Sequence, residues 1–125
     1  MVDAWMSYWQ AAADSYYRAR PVPRFAEVAR GSARSAVLVY LRQKKAQGQR
    51  VVGWARDNVT SVHISGDRAR LRDCTQNFTF SVDEEGTPIT LPTPFYDVTG
   101  ELEKHGGRWV VTVATSRNLR LSCLR

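Results

Sequence analysis

An α+β domain is predicted, with three N-terminal helices packed on a strongly curved, mainly antiparallel sheet. Two observations predict it: helical spacing of apolar residues fills roughly the first fifty positions, and strand-like alternation with short Gly-containing turns fills the rest. The chain's 125 residues fit one domain, 1–125. A chain of this size buries roughly two-thirds of its unfolded surface, so a metal or disulfide is optional for folding. A hydrophobic content of 43% with four Trp and five Tyr excludes a disordered tail. No stretch approaches the ~20 apolar residues of a membrane span. The opening MVDAWMSYWQAAADS lacks the basic start and unbroken apolar core of a secretory signal, so either the protein is cytoplasmic or an export signal has been removed.

From Asp3 to Arg18, apolar residues at Trp5, Met6, Trp9, Ala12, Ala13, Tyr16 and Tyr17 follow i, i+4, i+7 spacing, with Asp3 as the expected N-cap and Pro21 and Pro23 as the stop. A short helix from Arg24 to Arg30 ends at Gly31. A third starts at Ser32, turns the stripe Ala33, Ala36, Val37, Tyr40 and Leu41 to the core, points Arg34, Arg42, Lys44 and Lys45 outward, and closes at Gly48. After a short segment, Val51 to Ala55, Val62 and Ile64 mark a strand. Gly66-Asp67 supplies its turn, and Ala69 and Leu71 begin the return with Arg68, Arg70 and Arg72 on the other face. Ala69 and Leu71 are odd-numbered, whereas Cys74, Phe78 and Phe80 are even, which predicts a bulge or bend between Asp73 and Asn77. Asp83 to Pro88 is a hairpin tip. Phe95 to Glu103 and Trp109 to Thr115 are two further strands joined by Lys104-His105-Gly106-Gly107, and Leu119 to Cys123 is a short terminal strand or tail.

Charge is uneven. Between Arg18 and Arg56 ten basic residues face one acid, Glu27, a surplus of +9 in a chain whose total is +6. The surplus predicts either the solvated outer faces of two helices or contact with an anionic partner, the basic surface being Arg30, Arg34, Arg42, Lys44 and Lys45. Nucleic acid is not the expected partner, because the chain has no helix-turn-helix or RNA-binding signature.

The run from Val62 to Cys74, VHISGDRARLRDC, resembles a hairpin found in small secreted or lipid-anchored proteins of high-GC Gram-positive bacteria. Gly107-Arg108-Trp109-Val110-Val111 resembles the strand start of nuclear transport factor 2-like domains. The Trp5 to Tyr17 helix and the Ala33 to Gly48 helix, ending LRQKKAQG, are similar to the same group. The resemblance covers nearly the whole chain and implies a cone of three helices against a curved sheet, an extracytoplasmic location and a Cys74–Cys123 pairing. Such a bridge would add ~4 kcal/mol on the chain-entropy estimate. Two buried free thiols in a cytoplasmic protein are the other reading of the same residues.

Function divides into three expectations. The first is a non-catalytic binding or assembly module, an extracytoplasmic accessory protein whose partner is another protein or a small apolar ligand. The resemblance also implies a homodimer through the sheet. Its pocket candidates are Trp9, Tyr16, Tyr17, Trp54, Phe78, Phe80 and Tyr96, part of an aromatic set larger than the core requires. The second is an isomerase-, hydrolase- or cyclase-type enzyme. In catalytic cones an inward carboxylate is desolvated until it serves as a base, and the candidates here are Asp97, Asp73 and Asp57, with Tyr16 or Tyr17. Each carboxylate also has a structural role to play: Asp57 in a turn, Asp73 on freed backbone, Asp97 on a solvated face with Thr99, Glu101 and Glu103. The third is anionic-surface or nucleic-acid binding through the basic helices. No metal or other cofactor is expected, because Cys74 and Cys123 are far apart and His63 and His105 lack ligand spacing. The triplets Asn58-Val59-Thr60 and Asn77-Phe78-Thr79 match glycosylation acceptors by chance composition alone.

Overall fold

A computed structural model describes residues 1–124. Helix α1 (Val2–Arg18) buries Trp5, Tyr8, Ala11, Ala12 and Ser15, the three- and four-residue spacing of a single core-facing stripe. Met1, not Asp3, is its N-cap. Asp3 instead lies within the first turn, where a carboxylate meets the positive end of the helix dipole. The helix ends at Ala19, whose left-handed backbone (φ 54°) turns its amide back to Ser15 and Tyr16. Ser15 secures this exit: its hydroxyl donates to the Ala11 carbonyl at 2.8 Å and accepts from the Val22 amide at 3.0 Å.

Helix α2 (Phe25–Val28) is shorter than its sequence pattern, because Ala29 is extended and Arg30 gives its amide to the Val111 carbonyl at 2.9 Å. Helix α3 (Gly31–Ala46) buries Ala33, Val37 and Leu41. Two members of the expected stripe differ: Ala36 is exposed, and Tyr40 is partly exposed, edge-on to Tyr16 with ring centroids 5.2 Å apart. Gln47 is the C-cap, and Gly48 follows in the left-handed conformation (φ 66°).

Seven strands follow: β1 (Arg50–Val52), β2 (Ala55–Arg56), β3 (Val59–Ser65), β4 (Arg68–Asn77), β5 (Phe80–Val82), β6 (Phe95–His105) and β7 (Arg108–Leu119). The main sheet is antiparallel, with β2 and β3 lying in succession along one edge of β4, then β6, then β7 at the opposite edge. Strands β1 and β5 form a separate two-stranded sheet. Both β6 and β7 outrun their sequence limits, so their turn shrinks to Gly106-Gly107, each at positive φ.

The bulge expected between Asp73 and Asn77 is absent, since β4 pairs residue for residue with β6 from Arg68–Glu103 to Gln76–Phe95. The change of parity has another cause. Asp73 and Thr75 are buried on the helix-covered face, and Cys74 between them is buried on the outer face beneath a disulfide to Cys123. Register shifts fall instead on β3, where Thr60 is unpaired between Val59 and Ser61, and on β7, where Thr112 is unpaired opposite Glu101 and Leu102. Bulges at these places strengthen local twist and curve the sheet.

The core lies between α1 and the concave face, with Trp5, Tyr8, Phe25, Leu71, Val98, Leu102 and Val111 fully buried. Gly100 is the residue that admits Trp5: a Cβ at that position would collide with the six-membered ring of the indole.

Candidate functional site

The inward side of β4 changes character along its length, from apolar Ala69 and Leu71 to polar Asp73, Thr75 and Asn77, all buried. Asp73 is the centre of this polar row. Its Oδ2 accepts the Trp5 indole N–H at 2.7 Å, and its Oδ1 accepts the Asn58 amide at 2.8 Å and the Thr75 hydroxyl at 3.2 Å. Asp57 stands beside it, 3.3 Å from the same hydroxyl through its Oδ1.

Thr75 has one hydroxyl proton and two carboxyl neighbours, so it donates to only one of them. The second contact is favourable when a proton is held by the other carboxyl. The electrostatics agree: burial, then the adjacent Asp73 carboxylate, raise the Asp57 carboxyl to about 7. Between β2 and β3 the chain is held here by Asn58, whose side chain donates to the Cys74 carbonyl at 3.0 Å and whose own carbonyl accepts the Cys74 amide at 2.9 Å.

Asp97, the third carboxylate candidate, lies outside the cone. It shares the outer face of β6 and accepts from Arg72 at 2.9 Å and Arg117 at 3.1 Å. With Thr99, Thr115 and Ser116 these residues line a shallow, open depression of about 390 Å³. A second depression of about 650 Å³ lies between Leu91–Pro94 and Asn118–Arg120. Neither reaches the interior of the cone.

The aromatic candidates divide. Trp9 packs edge-on against Trp5 and Tyr8, with a buried indole N–H that has no hydrogen-bond partner among the described residues. Tyr16 is largely covered, and burial together with Tyr40 and Tyr96 raises its phenol well above the ordinary range, which keeps it neutral. Tyr96 meets the Asn77 side chain at 3.4 Å, and Phe80 is half-buried in β5. The other three do not line an interior. Tyr17 is 56% exposed and faces the Arg50 guanidinium at 5.1 Å, while Trp54 (60% exposed) stacks on Phe78 with centroids 4.4 Å apart. Gly53 explains this external stack. Its backbone (φ 95°) is pressed against the Phe78 carbonyl, and the Phe78 amide bonds the Trp54 carbonyl at 2.9 Å, so the two turns are locked together at the surface.

Of the basic set, Arg30, Arg34, Arg42 and Lys45 are exposed as expected. Lys44 turns inward, donating to Ser81 at 2.7 Å and Gln49 at 3.1 Å. His63 is exposed opposite Arg70, and His105 lies 3.2 Å from Glu103. Among the described residues, no group of three or more His, Cys, Asp or Glu is placed to hold a metal, and no helix is long and apolar enough to cross a membrane.

Solved structures similar in fold include the following two. The intermembrane-space region of the chloroplast protein ARC6 matches 94% of this chain and 93% of its own, with a TM-score of 0.67 and 15% identity. An NTF-2-like protein of unknown function from Shewanella oneidensis matches 92% of this chain and 97% of its own, with a TM-score of 0.55 and 12% identity. The fold is nuclear transport factor 2-like. No family model matches the chain, and no curated protein matches it. Sequence reasoning missed three members of this nuclear transport factor 2-like interior: Gly100, Thr75 and the Trp5–Asp73 bond. A glycine in the middle of a strand, Thr99-Gly100-Glu101, was the available signal for close approach of another side chain.

Proposed function

We propose that this domain is a non-catalytic binding or assembly module whose working surfaces lie outside the cone. One observation carries the reading. Where a catalytic cone would keep an inward carboxylate open to substrate, Trp5 fills the space, rests on Gly100 and uses its indole N–H on Asp73. Asp73 has both oxygens engaged by protein donors, so it holds the fold rather than a reactant. The Cys74–Cys123 bridge supports an extracytoplasmic location, since such bonds persist in oxidising compartments. The partner is a protein, met by surface features such as the exposed Trp54–Phe78 stack.

A second reading has its own observation. The Asp57 carboxyl, held near 7, has the proton affinity that acid–base enzymes use. The test follows the Trp5 indole N–H by NMR while small apolar and carbonyl-containing ligands are added. A binding module leaves that resonance unmoved at every ligand. A saturable shift of the Trp5 signal would instead establish an interior site and favour the enzyme.

A further inference from the structure

Four exposed arginines of the sheet have carboxylate partners: Arg68 with Glu103, Arg70 with Glu101, and Arg72 and Arg117 with Asp97. Those of α3 have none among the described residues. Arg34, Leu38, Arg42 and Lys45 are spaced i, i+4, i+8 and i+11, which sets three cations along one flank of the helix. No acid lies in the first turn of α3, and Arg30 at the N-cap adds positive charge where the helix dipole favours negative. Arg30 with Arg34 and Arg42 with Lys45 are like-charge neighbours, which cost an isolated helix a few tenths of a kcal/mol each. Among the described residues the flank therefore lacks a counter-charge.

The topology locates this flank. Tyr40, on the other side of α3, meets Tyr16 of α1, so the cationic flank faces away from α1. Helix α3 packs on β7, the edge strand of the sheet, and the Ser32 hydroxyl donates to the Thr112 carbonyl at 3.2 Å. From Thr112 the strand runs ~24 Å to Leu119, and α3, which packs on it, is about as long from Gly31 to Ala46. The outer edge of β7 is met at Val111 by Ala29 and Arg30. Beyond it, Val113 to Leu119 has no strand partner on that side among the described residues.

We infer that the free edge of β7 from Val113 to Leu119, overlooked by Arg34, Arg42 and Lys45, is a docking site for an acidic, extended segment of a partner protein. Backbone pairing along the edge would supply affinity, and the cationic flank would select Asp- and Glu-rich sequences. A polypeptide fits better than the other anions. The flank has no exposed aromatic residue on which bases could stack, and its single apolar member, Leu38, is half-buried and too small a surface for insertion into lipid. The inference rests on the binding-module reading and names its partner class.

The test is fluorescence anisotropy with a labelled peptide of alternating Glu and Val, set against its Lys–Val counterpart, a thymidine oligonucleotide and phosphatidylglycerol vesicles. The Glu–Val peptide should bind in preference to all three. Arg34→Glu, Arg42→Glu and Lys45→Glu together should weaken it at least about tenfold. If that variant fails to melt cooperatively, the Gln substitutions at the same positions serve, with a smaller loss. Bound peptide should also slow amide hydrogen exchange from Val113 to Leu119. No peptide binding, binding indifferent to the substitutions, unaltered exchange along β7, or preference for oligonucleotide or vesicles would each overturn the inference. None of those results moves the Trp5 indole signal, on which the binding-module reading itself is judged.

Discussion

The Trp5 indole nitrogen lies 2.7 Å from Oδ2 of Asp73, joining residues 68 apart in sequence at the centre of the cone. This bond links the first helix to the middle strand of the sheet, and it pairs a fully buried carboxyl with a donor that can make only one hydrogen bond. Loss of either partner strands the other. Trp5→Phe should therefore cost about 2–4 kcal/mol, the sum of a lost hydrogen bond to a buried carboxyl and a small cavity. Combining it with Asp73→Asn should cost less than the two single changes added together, because one interaction is counted twice. Urea denaturation of the four proteins in this cycle measures the coupling.

Gly100 is the complement of Trp5. A methyl group there meets the indole ring and cannot be accommodated by a rotamer change, since Trp5 is fully buried. Gly100→Ala should destabilise the protein by about 1–3 kcal/mol. Gly66→Ala, at a turn where an added Cβ meets nothing, should cost less and through backbone strain alone. Thermal melts of the two variants separate overpacking from strain.

Asp57 governs the response to pH. Its folded value, about 7, lies above its ordinary value of 3.8, so the folded protein binds the proton more tightly than the unfolded chain. That contribution to stability is fully present below about 3.8 and is lost as pH rises through about 7. Asp57→Asn removes the titration. The variant should gain on the wild type as pH rises from 5 to 8, by several degrees in Tm, on the order set by a stability change of about 1 kcal/mol. Parallel melting curves at the two pH values would contradict this.

The Cys74–Cys123 bridge closes a loop with a sequence separation of 49 residues and ties the tail to the outer face of β4. Reduction, or replacement of both cysteines by Ala, should lower stability by up to about 4 kcal/mol. The loss should be accompanied by rapid amide exchange beyond Leu119, while α1 and β6 keep their protection. Melting with and without a reductant, followed by exchange mass spectrometry, reads both effects.

Local chemistry wrote much of the fold into the sequence, and long-range packing wrote the rest. Periodicity located the three helices, and Gly66-Asp67 with Gly106-Gly107 located two hairpins, because those signals depend on neighbours a few residues away. The parity change at Cys74 is visible in the sequence, but its cause is burial on both faces and not a bulge. A strand buried on both faces looks the same in sequence as a strand that bends, and only the partner of Cys74 distinguishes them. The same limit applies to the site. Asp57 and Asp73 were recognisable as carboxylates of interest, yet nothing local says that Trp5 covers one and Thr75 joins them. Asp97 was correctly grouped with the outward Thr99, Glu101 and Glu103 by strand alternation, which depends on period two alone. Lys44 defied its helical position because Ser81, distant in sequence, supplies a partner.

The central claim is that the cone is closed around Trp5. Hydrogen exchange of the Trp5 indole N–H, followed by NMR under conditions where the protein is stable, tests it most directly. If Trp5 plugs the cone and stays bonded to Asp73, that proton exchanges only through global unfolding, at the rate of the slowest core amides of β4 and β6. Exchange orders of magnitude faster than those amides would mean that the interior opens to solvent in the native state, and the account of a filled, non-catalytic scaffold would fail.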